Sequence, residues 1–177
     1  YVANPQEDRQ EIKSEEVVIE KKKVKYIDTP DPLKAIYMTQ CVVGTKAFRE
    51  SLVKIADETE INSIIIDIKD YTGRLAFDTD HPDLVESVSN KCGASDMPEF
   101  IEYLHSKNIY VIGRLSVFQD PYMVHKRPDL AVQSKSTGTM WKDHKGLSFI
   151  DVGARWYWDY IINIAKEAHS IGFDEIN

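Results

Sequence analysis

The sequence has no glycine-rich turn, no membrane-length apolar run and no surplus of positive charge. Its eight glycines stand apart at 44, 73, 93, 113, 138, 146, 153 and 172, and no two of them form a G-x-G. The phosphate-cradling turn of a nucleotide-binding open sheet is therefore missing, and so is a Walker lysine motif. No stretch approaches the ~18 apolar residues that cross a bilayer. A net charge of -7 removes the basic surface of a non-specific nucleic-acid binder and leaves neutral polar ligands compatible. The two cysteines, Cys41 and Cys92, are too few for a disulfide scaffold and lack metal-motif spacing. A bond between them and a pair of free thiols both remain open. The five histidines never fall in H-x-x-x-H or H-x-H spacing, and no G-x-S-x-G elbow occurs. No metal and no cofactor is expected.

Leucine and phenylalanine are also absent from residues 1–32; the first are Leu33 and Phe48. Charged blocks such as Glu15-Glu16 and Lys21-Lys22-Lys23 fill that segment instead. Such a stretch buries too little apolar surface to offset its ordering entropy. Pro30 and Pro32 close it by resisting helix and sheet. Residues 1–32 are expected to be a charged, flexible linker with one short strand candidate at Val17–Ile19. The chain opens on Tyr1 rather than Met, so any signal peptide or membrane anchor is expected in a segment upstream of it.

From Leu33 onward strands and helices alternate. Ala35–Thr39 is a short β-type run. Thr45 precedes a helix with Phe48, Leu52, Ile55 and Ala56 on its apolar stripe. Ser63–Lys69 is rich in β-branched residues and reads as a strand. Asp96 and Glu99 resemble a capping box ahead of Phe100, Ile101 and Leu104. Tyr110–Val117 is the third strand. Ala154–Ile171 is the longest helix, with Tyr157, Ile161, Ile164 and Ala168 inward and Gly172 as its stop. Phe173–Asn177 opens a fourth strand. This alternation implies parallel pairing. Helix-to-strand links are tight, whereas the strand-to-helix links 70–95 and 118–153 are long. Loops of that length are usually functional, and these sit where parallel α/β folds place their active sites.

The strand faces favour a (β/α)8 barrel over a doubly wound sheet. Ile64, Ile66 and Ile68 share one face of the second strand, opposite Ile65, Asp67 and Lys69. Val111, Leu115 and Val117 likewise oppose Ile112, Arg114 and Ser116. One face is apolar throughout, while the other turns polar toward the C-terminal end. A barrel interior packed below and polar at its mouth has this pattern. A full barrel takes ~250 residues. Residues 33–177 are therefore expected to be the N-terminal half of one, about four strands, truncated in strand four.

An ordered series of segments carries a family resemblance. It comprises Ile65, Asp67-Ile68-Lys69-Asp70 with Gly73, Ile109–Arg114, Phe118-Gln119-Asp120-Pro121, Lys126–Val132, Trp141-Lys142-Asp143 with Lys145-Gly146-Leu147, and Gly172–Ile176. Over about residues 33–177 the chain resembles a bacterial family of glycoside hydrolases with a (β/α)8 barrel. That family is distantly similar to α-amylase-type and polygalactosaminidase-type barrels. The resemblance implies a secreted or membrane-anchored, extracytoplasmic protein acting on a carbohydrate. It also implies a fourth strand running on into an aspartate beyond Asn177 and a second carboxylate from a later strand, so that the fragment alone would be inactive.

Within the chain, Asp67 and Glu175 are the catalytic candidates, because glycosidases place two carboxyls about 5–9.5 Å apart across the scissile bond. Lys69, Asp70 and Arg114 at the strand ends are substrate-binding candidates, with Asn177 on the parity of Glu175. Asp67 with Lys69 reads equally as a structural ion pair inside the barrel. Asp120, Asp143 and Asp151 lie in a long loop and serve either substrate or turns. Of these, Asp120 and Asp143 complete the binding set with Trp141, which offers an apolar face to a sugar ring or packs under a folded loop. The leading expectation is a glycosidase using two carboxylates on a polysaccharide or cell-envelope glycan. A non-catalytic glycan-binding barrel is the main alternative, and a barrel enzyme for phosphorylated metabolites a third.

Overall fold

A computed structural model describes residues 24–177, so the strand candidate at Val17–Ile19 lies outside the described residues. Strands β1 (Ala35–Met38), β2 (Ser63–Lys69), β3 (Tyr110–Leu115) and β4 (Glu175–Ile176) form one parallel sheet in the order β1-β2-β3-β4. Helices α1 (Gln40–Val43), α2 (Lys46–Glu58), α3 (Met97–Ser106), α4 (Pro121–Lys126) and α5 (Arg155–Ser170) occupy the connections. The strand order follows the chain without reversal, so the sheet lacks the switch point of a doubly wound fold.

The outer face of the sheet is the core. Ile64, Ile66, Ile68 and Val111 are fully buried in one cluster with Val53 of α2, Ile101 and Leu104 of α3, and Ile164 and Ala168 of α5. Burial of each large aliphatic side chain contributes on the order of 2 kcal/mol. The stripe expected on α2 is rotated from the one observed. Phe48 and Ile55 are 63% and 45% exposed, while Arg49, Val53 and Ala56 face inward. Arg49 is buried because Asp96 meets its guanidinium with both carboxylate oxygens and the Phe100 ring lies 4.5 Å from it. This pairing also overrides the expected capping box: Asp96 stands at the N-cap of α3 without a side-chain cap bond.

The long connections are folded. In 70–96, Leu75, Ala76, Phe77 and Leu84 are at most 1% exposed, and Ala76 N–H donates to Ile68 O at 3.0 Å. A disulfide joins Cys41 of α1 to Cys92 of this connection, which resolves the question the sequence leaves open. The connection 118–153 contains α4, read as loop from the sequence, and antiparallel bridges Gln133–Met140, Lys142–Ser148 and Ala131–Ile150.

Residues 24–32, the end of the segment expected to be linker, run along the N-terminal ends of the strands. Ile27 N–H donates to Asp174 at 2.8 Å, Tyr26 stacks on His169 at 4.5 Å, and Thr29 shares a 3.0 Å hydrogen bond with Tyr110. Asp174 also accepts from Val111 N–H and lies 2.9 Å from His105 Nε2, so it faces the helices.

Candidate active site

The inner face of the sheet borders a cavity of about 590 Å³ lined by Tyr37, Ile65, Ile112, Arg114, Glu175 and Asn177, with Leu33 at one side. Pairing sets the levels within it. Tyr37, Ile65, Ile112 and Glu175 are aligned across four strands, and Asp67 is aligned with Arg114 one side-chain step nearer the mouth. Asn177 joins that upper level, because its N–H donates to Gly113 O and its carbonyl accepts from Leu115 N–H.

Asp67 is the centre of the upper level. It is 4% exposed, accepts from Arg114 Nη1 at 2.7 Å on one oxygen, and accepts from the Tyr37 hydroxyl on the other. Tyr37 shows its ring to the cavity, at 46% exposure, while its hydroxyl turns inward onto Asp67. Burial of that hydroxyl first, and its hydrogen bond to Asp67 second, push the Tyr37 phenol up to about 12. The phenol is thus a neutral donor under ordinary conditions. The Arg114 guanidinium is likewise held above its ordinary value, mainly by the Asp67 hydrogen bond. Asp67→Asn should let the Tyr37 ionisation fall partway back toward 10, visible as a change in the alkaline ultraviolet titration. An unchanged titration would mean that Asp67 does not govern the phenol.

The remaining candidates separate. Glu175 faces the cavity one level deeper, where Tyr110 OH donates to it at 3.1 Å from the floor. Across two strand spacings of about 4.8 Å each, Asp67 and Glu175 start far apart, and the Tyr110 bond draws Glu175 downward. Lys69 does not share the inward face with Asp67. A register shift between Asp67 and Lys69 aligns Lys69 with Leu115, and its side chain is fully buried beside Asp120 and Tyr157 of α5. The extra residue of a bulge turns the following side chain away from its expected face. Asp120 is also fully buried: its carboxylate caps α4 through Met123 N–H at 2.7 Å and lies 2.7 Å from the Tyr157 hydroxyl. Asp70 accepts from Thr72 N–H at 2.9 Å and shapes the turn after β2. Asp143 accepts from Lys145 and Leu147 N–H, both at 2.8 Å, and these amides, Leu147 first, hold its carboxyl below its ordinary range. Asp151 accepts from Gly153 N–H in a third turn. Trp141, 43% exposed, packs at 5.6 Å against Phe149 and does not line the cavity.

Tyr37 is the site residue that sequence reasoning missed. Its parity was the available signal, since in a parallel sheet it aligns with Ile65 on the face that carries Asp67. Among the described residues no group of three or more His, Cys, Asp or Glu could hold a metal ion.

Residues 35–177 match the family described as "Putative glycosyl hydrolase domain". The chain belongs to that family. A hypothetical protein from Ruminiclostridium thermocellum ATCC 27405 has a similar crystal structure, with TM-score 0.73 and 37% identity over 80% of this chain and 73% of that one. The chitobiase of Flavobacterium johnsoniae aligns with TM-score 0.61 and 11% identity over 81% of this chain and 22% of the enzyme. The α-galactosidase of Thermus thermophilus aligns with TM-score 0.58 and 12% identity, covering 86% and 31%. At these identities the two enzymes share the fold alone: the four-stranded sheet corresponds to the N-terminal part of their (β/α)8 barrels. The chain spans less than a third of either enzyme's length. No curated protein matches the chain significantly in sequence. For this glycosyl hydrolase family member, the polar mouth at the C-terminal strand ends is the face where such barrels carry their chemistry.

Proposed function

We propose that this chain forms half the mouth of a glycoside hydrolase acting on a polysaccharide or cell-envelope glycan. The observation that supports it best is Asp67, a buried carboxylate held between the Tyr37 hydroxyl and the Arg114 guanidinium at a barrel mouth. The Arg114 guanidinium and the Tyr37 hydroxyl each donate to one of its oxygens, which gives that carboxylate the acceptor's part. It binds a sugar hydroxyl or stabilises positive charge developing on the ring. Glu175, drawn toward the floor, lines the lower wall, and the acid partner is proposed to come from residues following Asn177. The Cys41–Cys92 disulfide supports an extracytoplasmic location, since such bonds persist in oxidising compartments.

A second reading is a barrel that binds glycans without cleaving them. The two donors on Asp67 favour it, because a carboxylate already held at both oxygens has less freedom to react. Reducing-end release from cell-wall polysaccharides, measured for the full-length protein and its Asp67→Ala variant, tests both. On the hydrolase reading the variant loses roughly a hundredfold or more in turnover. Equal rates would remove Asp67 from the site, and binding without turnover in either protein would select the binder.

A further inference from the structure

A second cavity, of about 330 Å³, lies between the connection after β2 and helix α4, and it shares no lining residue with the barrel mouth. Its wall is Trp156, in the first turn of α5 and 41% exposed. Met123 and Ser87, both buried, lie beneath, and Pro82, Asp83, Glu86, Lys126 and Arg127 complete the lining.

The indole is fixed in place. It stacks on Tyr160 with ring centroids 5.8 Å apart and 17° between planes, and Tyr160 is anchored by a 2.8 Å hydrogen bond from its hydroxyl to Ser87. The Arg127 guanidinium lies 4.9 Å from the indole centroid and is itself forked onto Asp129 at 3.0 and 2.8 Å. Lys126 pairs with Glu86 across the cleft, and the Tyr122 hydroxyl donates to Glu86 O at 2.6 Å. Asp83 differs: its carboxylate has no partner among the described residues and remains a free acceptor at the cavity.

Charge narrows the ligand class. Two acidic and two basic lining residues cancel, so a strong anion finds no cationic surplus. A cation would be repelled by the guanidinium that already lies against the indole. A neutral polyhydroxylated ring suits the combination, since its C–H face packs on the part of the indole left exposed by Tyr160 and Arg127 while its hydroxyls meet Asp83 and the remaining guanidinium hydrogens. The volume sits at the small end of ligand pockets, which run from about 300 to 1,000 Å³, and so suits a short stretch of glycan.

We infer that the cavity walled by Trp156 is a binding subsite for a neutral oligosaccharide, separate from the Asp67 centre. Both flanking connections leave the C-terminal ends of strands, so the subsite belongs to the same end of the fold as the mouth. A polymer engaged at both is held twice, which raises its effective concentration at the mouth. The binding stands without catalysis at Asp67.

Isothermal titration of the protein with cellohexaose, maltohexaose and chitohexaose tests the inference, with Trp156→Ala, Asp83→Ala and Asp67→Ala titrated alongside. The expected result is saturable binding of at least one of these hexamers, weakened about tenfold or more by Trp156→Ala and less by Asp67→Ala. Asp83→Ala, which disturbs no core packing, should weaken the same hexamer severalfold and decides the matter if Trp156→Ala is misfolded by circular dichroism. Native-like affinity of both cavity variants overturns the inference. So does failure of the native protein to bind any of the three hexamers, or loss of binding in Asp67→Ala alone.

Discussion

Replacing Lys69 with methionine is expected to lower the unfolding free energy by about 3–5 kcal/mol, the range for removing one partner of a buried ion pair. The ammonium is fully buried, with Asp120 Oδ2 at 3.2 Å and the carbonyls of Ser116 and Val117 at 2.6 and 3.3 Å. Burial pushes its proton affinity down, and Asp120 counters that by favouring the charged form. Methionine matches the length of the side chain but leaves the Asp120 charge without its counter-ion. Asp120 would retain Met123 N–H and the Tyr157 hydroxyl, which places the loss toward the lower end of the range. The double variant Lys69→Met with Asp120→Asn should recover a large part of it. Asparagine still caps α4 with its one oxygen and donates from its amide to the Tyr157 hydroxyl, whose own hydrogen goes to Val117 O at 2.6 Å, yet it carries no charge to desolvate. Urea unfolding of the single and double variants measures both effects. A Lys69→Met protein within about 1 kcal/mol of the parent would mean that the cluster is not a pillar of the fold.

The same cluster shows what the sequence could and could not convey. Period-two alternation placed Ile64, Ile66 and Ile68 against the helices and Asp67 inward, as observed, because one buried face fixes the register of a parallel strand. The rule failed two residues later at Lys69, since an irregularity between Asp67 and Lys69 shifts the pairing by one residue. Nothing in the local sequence marks that shift. For Asp120 a signal did exist: Asp followed by Pro is a good N-cap and first-turn pair, and a short helix begins there. The stripe of α2 misled for a different reason. Arg49 does not belong to an apolar stripe, and its burial depends on Asp96, 47 residues away, which helical periodicity does not contain.

Within the candidate site, the residues that come together are those whose facing follows from simple alternation: Asp67, Arg114, Glu175 and Asn177. The loop carboxylates did not join them. Asp70, Asp143 and Asp151 accept backbone amides in turns, the ordinary use of aspartate where the chain reverses. A loop aspartate and a substrate-binding aspartate look alike in sequence. Only the arrangement of nearby N–H groups separates them.

Removing the disulfide should be the other large perturbation. With Cys41 and Cys92 separated by 51 positions in sequence, the chain-entropy estimate for the cross-link is about 4 kcal/mol at 25 °C. Part of that constraint is duplicated by non-covalent contacts at the same place. Gly93 N–H donates to Gln40 O at 3.1 Å, Ala94 N–H to Ala76 O at 2.7 Å, and the Gln40 side chain to Arg74 O at 2.9 Å. The backbones approach so closely that a side chain on Gly44 would place its Cβ 2.3 Å from Gly93 O, while Gly93 itself holds a φ of +103°. These contacts persist without the bond in the folded state and do nothing to restrict the unfolded chain. The Cys41→Ala, Cys92→Ala double variant is therefore expected to lose about 2–4 kcal/mol while keeping its native circular dichroism. Urea unfolding of the oxidised parent, the reduced parent and the double variant separates the causes. If chain entropy dominates, the reduced parent and the double variant unfold together, both well before the oxidised protein. If the reduced parent matches the oxidised one, the cross-link contributes nothing and α1 is held to the loop by its hydrogen bonds and glycine packing alone.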